Sequence, residues 1–73
     1  MPAADPRPDV FSVGDCVVAI YAIGLFRTRV PRGTRGEVAG LAPAGEVEVH
    51  FANGRVELVP PTSLAHCAAY QEP

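Results

Sequence analysis

The run Glu46-Val47-Glu48-Val49-His50-Phe51 alternates strictly between polar and apolar side chains, and Ala52-Asn53-Gly54 follows at once. Successive residues of a strand point to opposite faces. The run therefore predicts a half-buried strand with Val47, Val49 and Phe51 inward and Glu46, Glu48 and His50 outward. Asn-Gly suits a two-residue type I′ hairpin turn, whose central residues both take positive φ. With Asn53 and Gly54 as the loop, Ala52 pairs with Arg55, Phe51 with Val56, His50 with Glu57 and Val49 with Leu58. Apolar meets apolar and polar meets polar, and a slip of one residue would undo the match. On the other side, Ala42-Pro43-Ala44-Gly45 reads as a four-residue loop built from turn formers. Its register sets Val38 against Val49, Glu37 against His50, and Gly36 against Phe51, where the glycine leaves room for the ring. The expected core is Val38, Val49, Phe51, Val56 and Leu58.

The flanking sequence extends this three-stranded unit. Pro60-Pro61 ends the last of the three strands, since proline donates no ladder hydrogen bond. Pro61–Leu64 then predicts a single helical or 3₁₀ turn that tucks Leu64 beneath the sheet. Upstream, Gly14-Asp15 predicts a tight turn into a first strand over Cys16–Ala22, with Val17 and Ala19 inside. The opposite side of that strand, Cys16, Val18, Ile20 and Ala22, is apolar for a surface and implies a cover or a contact. Ile23–Arg32 (IGLFRTRVPR) has mixed periodicity and reads as a long loop, with Val30 reaching back to the core. Long loops in compact domains often carry function. A short last strand over Ala65–Ala68 is expected beside the first. The expected map is a disordered, proline-rich tail over residues 1–10, a folded domain over 11–68 and a frayed end over 69–73.

Seventy-three residues make a single domain at most. A core of that size is marginal, so a partner chain or a homodimer contact would supplement it. No apolar run approaches the roughly 20 residues of a membrane span, and no basic stretch precedes an apolar one as in a secretory leader. The expectation is a cytoplasmic protein with no membrane association. All positive charge is carried by arginine, and the formal net charge is −2. That balance argues against a dedicated nucleic-acid coat, although local distribution matters more than the sum.

Five short strands, a long first loop and a turn before the last strand describe an all-β, SH3-like five-stranded small barrel. The sequence resembles that superfamily at Val13-Gly14-Asp15-Cys16-Val17, Pro31-Arg32-Gly33-Thr34-Arg35-Gly36-Glu37-Val38, Val47–Phe51, and Val59-Pro60-Pro61 with Leu64. It is similar to small stand-alone bacterial domains of unknown function and to the KOW-type barrels of ribosomal and transcription factors. A narrower likeness joins Phe11–Asp15, Arg27–Arg32 and Gly36–Val38 to the C-terminal barrel of the nitrile hydratase β subunit. In that family the arginine matching Arg29 packs toward a metal-bearing partner subunit. This second resemblance implies an accessory or chaperone role toward such an enzyme.

No catalytic constellation stands out, and a barrel this small offers no deep pocket, so a non-enzyme is expected. Cys16 and Cys67 match no zinc spacing. First and last strands are neighbours in a barrel, so the two sulfurs could lie close. A cytoplasmic setting nevertheless favours two free thiols acting as small hydrophobes. His66 beside Cys67 points to the opposite face of a strand, which counts against joint ligation. His50 between Glu37 and Glu57 could hold a divalent ion. A solvated face with cross-strand charge pairs is the plainer reading, and no metal or cofactor is expected. The remaining cluster is Arg27, Arg29, Arg32 and Arg35 with Ile23 and Phe26. It reads as a contact surface for a protein partner, with a KOW-like nucleic-acid surface as the alternative.

Overall fold

The computed structural model describes residues 10–70; residues 1–9 of the expected tail over 1–10, and the last three positions, 71–73, lie outside the described residues. Five strands form one antiparallel sheet: β1 (Cys16–Ala19), β2 (Arg35–Leu41), β3 (Val47–Phe51), β4 (Val56–Val59) and β5 (Leu64–His66). Their spatial order is β4-β3-β2-β1-β5. The all-β, five-stranded expectation holds. The sheet curls around a single core in which every strand takes part: Val17 and Ala19, Val38, Val47 with Val49 and Phe51, Val59, and Leu64. Phe11 and Val30 complete it from outside the strands. A 3₁₀ turn at Pro61–Ser63, as expected from the proline pair, carries the chain from β4 to β5.

The β2–β3 register is the expected one at Gly36↔Phe51, Glu37↔His50 and Val38↔Val49. The loop between them is shorter than expected. Ala42 N–H donates to the Glu46 carbonyl at 2.8 Å, which leaves Pro43-Ala44-Gly45 as the loop, with Gly45 at φ +94°. A bulge between Val38 and Gly40 takes up the extra residue. The short loop and the bulge cancel, which is why the deeper pairs are unaffected.

At the second hairpin nothing cancels, and the expected register is overturned. The pairs are His50↔Val56, Val49↔Glu57, Glu48↔Leu58 and Val47↔Val59. Phe51 N–H donates to Arg55 O at 2.8 Å and Gly54 N–H to Phe51 O at 3.0 Å, so Ala52-Asn53-Gly54 is the loop. A type I′ turn needs positive φ at both Asn53 and Gly54. In this loop only Gly54 has it, at +89°. Asn53 instead uses its amide: Oδ1 accepts Arg55 N–H and Nδ2 donates to Arg29 O, each at 3.1 Å. The slip turns every β4 side chain over. Val56 and Leu58, expected in the core, are 54% and 53% exposed, and Val59 takes the buried position opposite Val47.

β1 ends at Ala19, three residues short of the expected Ala22; Ile20 N–H still donates to Ser63 O at 2.9 Å, but Ser63 already belongs to the 3₁₀ turn and the strand pairing stops there. The last strand lies beside β1 as expected but covers Leu64–His66 instead of Ala65–Ala68. The chain then winds into a second 3₁₀ turn, Cys67–Ala69, capped by Tyr70 N–H. Cys16 and Cys67 are joined by a disulfide across 51 residues, with their Cα atoms 5.4 Å apart. The expectation of two free thiols is thereby overturned. Val17 pairs with His66, so Cys67 follows on directly beside Cys16. The turn and the disulfide sit on the outer side of β1, where Val18 is fully buried although it lies outside the core cluster. Of the expected apolar outer side, Val18 is buried and Ile20 half-buried, whereas Cys16 and Ala22 are exposed.

Candidate protein-interaction site

The first loop is a small hairpin in its own right. Ile23 N–H donates to Val30 O at 2.8 Å, and Val30 and Arg29 N–H both donate to Ile23 O. Ile23 packs on the core and Val30 is buried within it, as expected of Val30. The residues between them, Gly24 to Arg29, project as a tip. Gly24 has φ +142°, and a Cβ there would run into the Arg27 carbonyl, so this corner requires glycine.

The tip exposes its apolar side chains. Phe26 is 97% exposed and Leu25 is 82% exposed. Arg27 is exposed beside them. Arg29 is turned the other way: its Nε and Nη2 donate to Glu57 Oε2 and Oε1, each at 3.1 Å. Such a forked pair fixes direction as well as distance. Together with the Asn53 amide on Arg29 O, it ties the base of the loop to the β3–β4 hairpin. Arg32 lies in the next turn, closed by Thr34 N–H and Oγ1, which both donate to Pro31 O. Arg35 opens β2 and pairs with Val18, on the outer side of the sheet.

Of the six expected contact residues, then, Phe26 and Arg27 share the tip, Ile23 and Arg29 form its base, Arg32 follows one turn later, and Arg35 stands apart on the sheet. Leu25 was not among those expected, although an apolar residue next to Phe26 in a polar loop was a readable signal. Val56 and Leu58 were also missed as surface residues, and no local signal marked them, because only the register exposes them.

His50 has Glu37 opposite, as expected, but Glu57 points to the other face. Its nearest carboxylate is Glu48, with Nε2 and Oε2 3.3 Å apart. Among the described residues no cluster of three or more His, Cys, Asp or Glu side chains could hold a metal ion. At the other end of the sheet, Val10, Phe11, Leu41, Val47 and Pro61 line an open groove of about 350 Å³. Phe11 there stacks on His66 with ring centroids 4.5 Å apart. Among the described residues no helix is long and apolar enough to cross a membrane.

A curled five-stranded antiparallel sheet, a 3₁₀ turn before the last strand and an exposed first loop define a small SH3-like domain. Residues 10–72 match the family described as UBE2O, ubiquitin binding SH3-C domain, and the chain belongs to that family. No curated protein and no solved structure matches the chain.

Proposed function

We propose that this chain is a non-enzymatic protein-binding module whose contact surface is the first loop: Ile23, Phe26, Arg27, Arg29, Arg32 and Arg35, with Leu25 added. One observation carries the reading. Phe26 stands almost wholly in water beside Leu25, on a loop braced at its base by the Arg29–Glu57 fork. Aromatic and arginine side chains supply most of the binding energy at protein interfaces. A loop already held in shape loses little further entropy when a partner docks. Within the set, Arg29 acts as the brace, and Phe26, Leu25 and Arg27 meet the partner.

The family description makes ubiquitin, or a protein of its fold, the first partner to test. Nucleic acid is the weaker alternative, because Glu57 engages Arg29 and the outer side of the sheet carries Glu37 and Glu48. The ¹⁵N-labelled protein is titrated with ubiquitin, and separately with single- and double-stranded oligonucleotides over a range of salt. Shifts centred on residues 25–27, lost with Phe26→Ala, support the reading. Submicromolar oligonucleotide binding with a steep salt slope, abolished by Arg27→Ala with Arg29→Ala, would overturn it in favour of the nucleic-acid alternative.

A further inference from the structure

The outer face of β3 and β4 is a second surface, and its chemistry is the reverse of the loop's. Val56 and Leu58 stand half exposed on β4, opposite His50 and Glu48 of β3. In the next column Glu37 lies opposite His50, and Gly40 lies opposite Glu48 with no side chain of its own. Two aliphatic side chains thus border a face that carries Glu37 and Glu48, the latter 3.3 Å from His50, with Arg35 farther along β2 beyond Glu37.

The first loop offers two apolar side chains, Leu25 and Phe26, next to Arg27, with Arg32 in the following turn. Neither Arg27 nor Arg32 makes an ion pair among the described residues. One molecule cannot bring its own two surfaces together. Glu57 leaves β4 on the side opposite Val56 and Leu58, and it holds Arg29 there. All four apolar side chains accordingly remain in water.

We propose that the occupant of the β3–β4 outer face is the first loop of a second copy of this chain. Leu25 and Phe26 cover Val56 and Leu58, while Arg27 and Arg32 face Glu48 and Glu37. Opposite charges set around matched apolar patches supply both register and attraction. Each molecule carries both surfaces, and the proposed arrangement is the closed two-fold pair in which each loop meets the other copy's face. This pairing depends on the chemistry of the two surfaces, not on which protein the loop binds otherwise. A partner that takes the loop would compete with the pair.

The test uses the full chain and two surface variants, each checked for a native circular-dichroism spectrum. The loop variant is Phe26→Ser with Arg27→Glu, and the face variant is Val56→Ser with Leu58→Ser. Sedimentation velocity and ¹⁵N spectra are recorded from micromolar to millimolar protein. The expected result is a concentration-dependent dimer for the unaltered chain, weakened about tenfold or more in each variant alone. Mixing the two variants recovers association in part, because one of the pair's two contacts again joins an intact loop to an intact face. A monomer throughout the range, a loop variant that dimerises as tightly as the unaltered chain, or a mixture that associates no more tightly than either variant alone would each overturn the proposal. Ubiquitin titrated into the face variant, whose loop is intact, tests the earlier reading separately.

Discussion

Gly36 and Gly40 lie on the same strand, yet their substitution by alanine should have opposite effects. A Cβ at Gly36 would stand 2.6 Å from Val49 Cγ1, 2.9 Å from the His50 carbonyl oxygen and 3.1 Å from Phe51 Cδ1. The His50 oxygen is backbone in the middle of β3 and cannot rotate away, and both side chains are core. Overpacking of this kind costs about 2–3 kcal/mol, and alanine recovers about 0.5–1 kcal/mol of the backbone entropy that glycine loses in a strand, leaving a net loss of about 2 kcal/mol. At Gly40 the nearest atoms, Glu48 Cβ and Oε1, are 3.9 Å away, which is ordinary contact. Only the entropy gain remains there, about 0.5–1 kcal/mol in favour of Gly40→Ala. For a domain of this size the two values correspond to a fall of about 8–16 °C and a rise of about 2–8 °C in Tm. Thermal unfolding followed by circular dichroism reads both, with urea titration as a second measure. A Gly36→Ala protein as stable as the unaltered chain would refute the close approach of β2 to Phe51. A Gly40→Ala protein that falls as far as Gly36→Ala would refute the placement of the bulge.

Breaking the Cys16–Cys67 link with Cys16→Ser and Cys67→Ser opens a 51-residue loop in the unfolded chain, a loss of about 4 kcal/mol by loop-closure entropy. Calorimetry of the double variant, and of the unaltered protein with and without a thiol reductant, should show a matching fall in Tm, and no difference would exclude the bond from the folded protein. Glu57→Gln removes the charge that orients Arg29 while keeping the side chain's shape. The pair is partly exposed, so global stability should fall by about 1 kcal/mol or less. Amide exchange at Ile23, Arg29 and Val30 should quicken while core strands are unaffected, and unchanged exchange in the loop would show that the Arg29–Glu57 pair does not brace it.

The two hairpins show how far local sequence carries. The alternation from Val47 to Phe51 put the right side chains on the right face, because a strand's period of two leaves no other choice once a core exists. Gly36 opposite Phe51 was legible for the same reason: the ring needs a gap, and glycine is the residue that leaves one. The Ala52-Asn53-Gly54 turn was ambiguous in kind. Asn-Gly fits a two-residue loop with both residues at positive φ, and it fits equally a three-residue loop that asks this of glycine alone. Polar and apolar matching pointed to the first, and the molecule adopts the second. The deciding partners are distant in sequence: the Arg29 carbonyl for Asn53, the Arg29 guanidinium for Glu57, and Val47 for Val59.

The site follows the same division. The exposed Phe26 and the arginine-bearing loop could be read from composition and broken periodicity. The direction of Arg29, the exposure of Val56 and Leu58 and the bond between Cys16 and Cys67 could not, since each depends on which strand lies next to which. Strand identity, the inward faces of β1, β2 and β3 and the approximate positions of the turns were set by neighbours one to four residues apart, whose geometry the backbone enforces. Register, the disulfide and the two opposed surfaces were decided by contacts between residues far apart in the chain. Their energies become comparable only after the sheet has closed and brought them within reach.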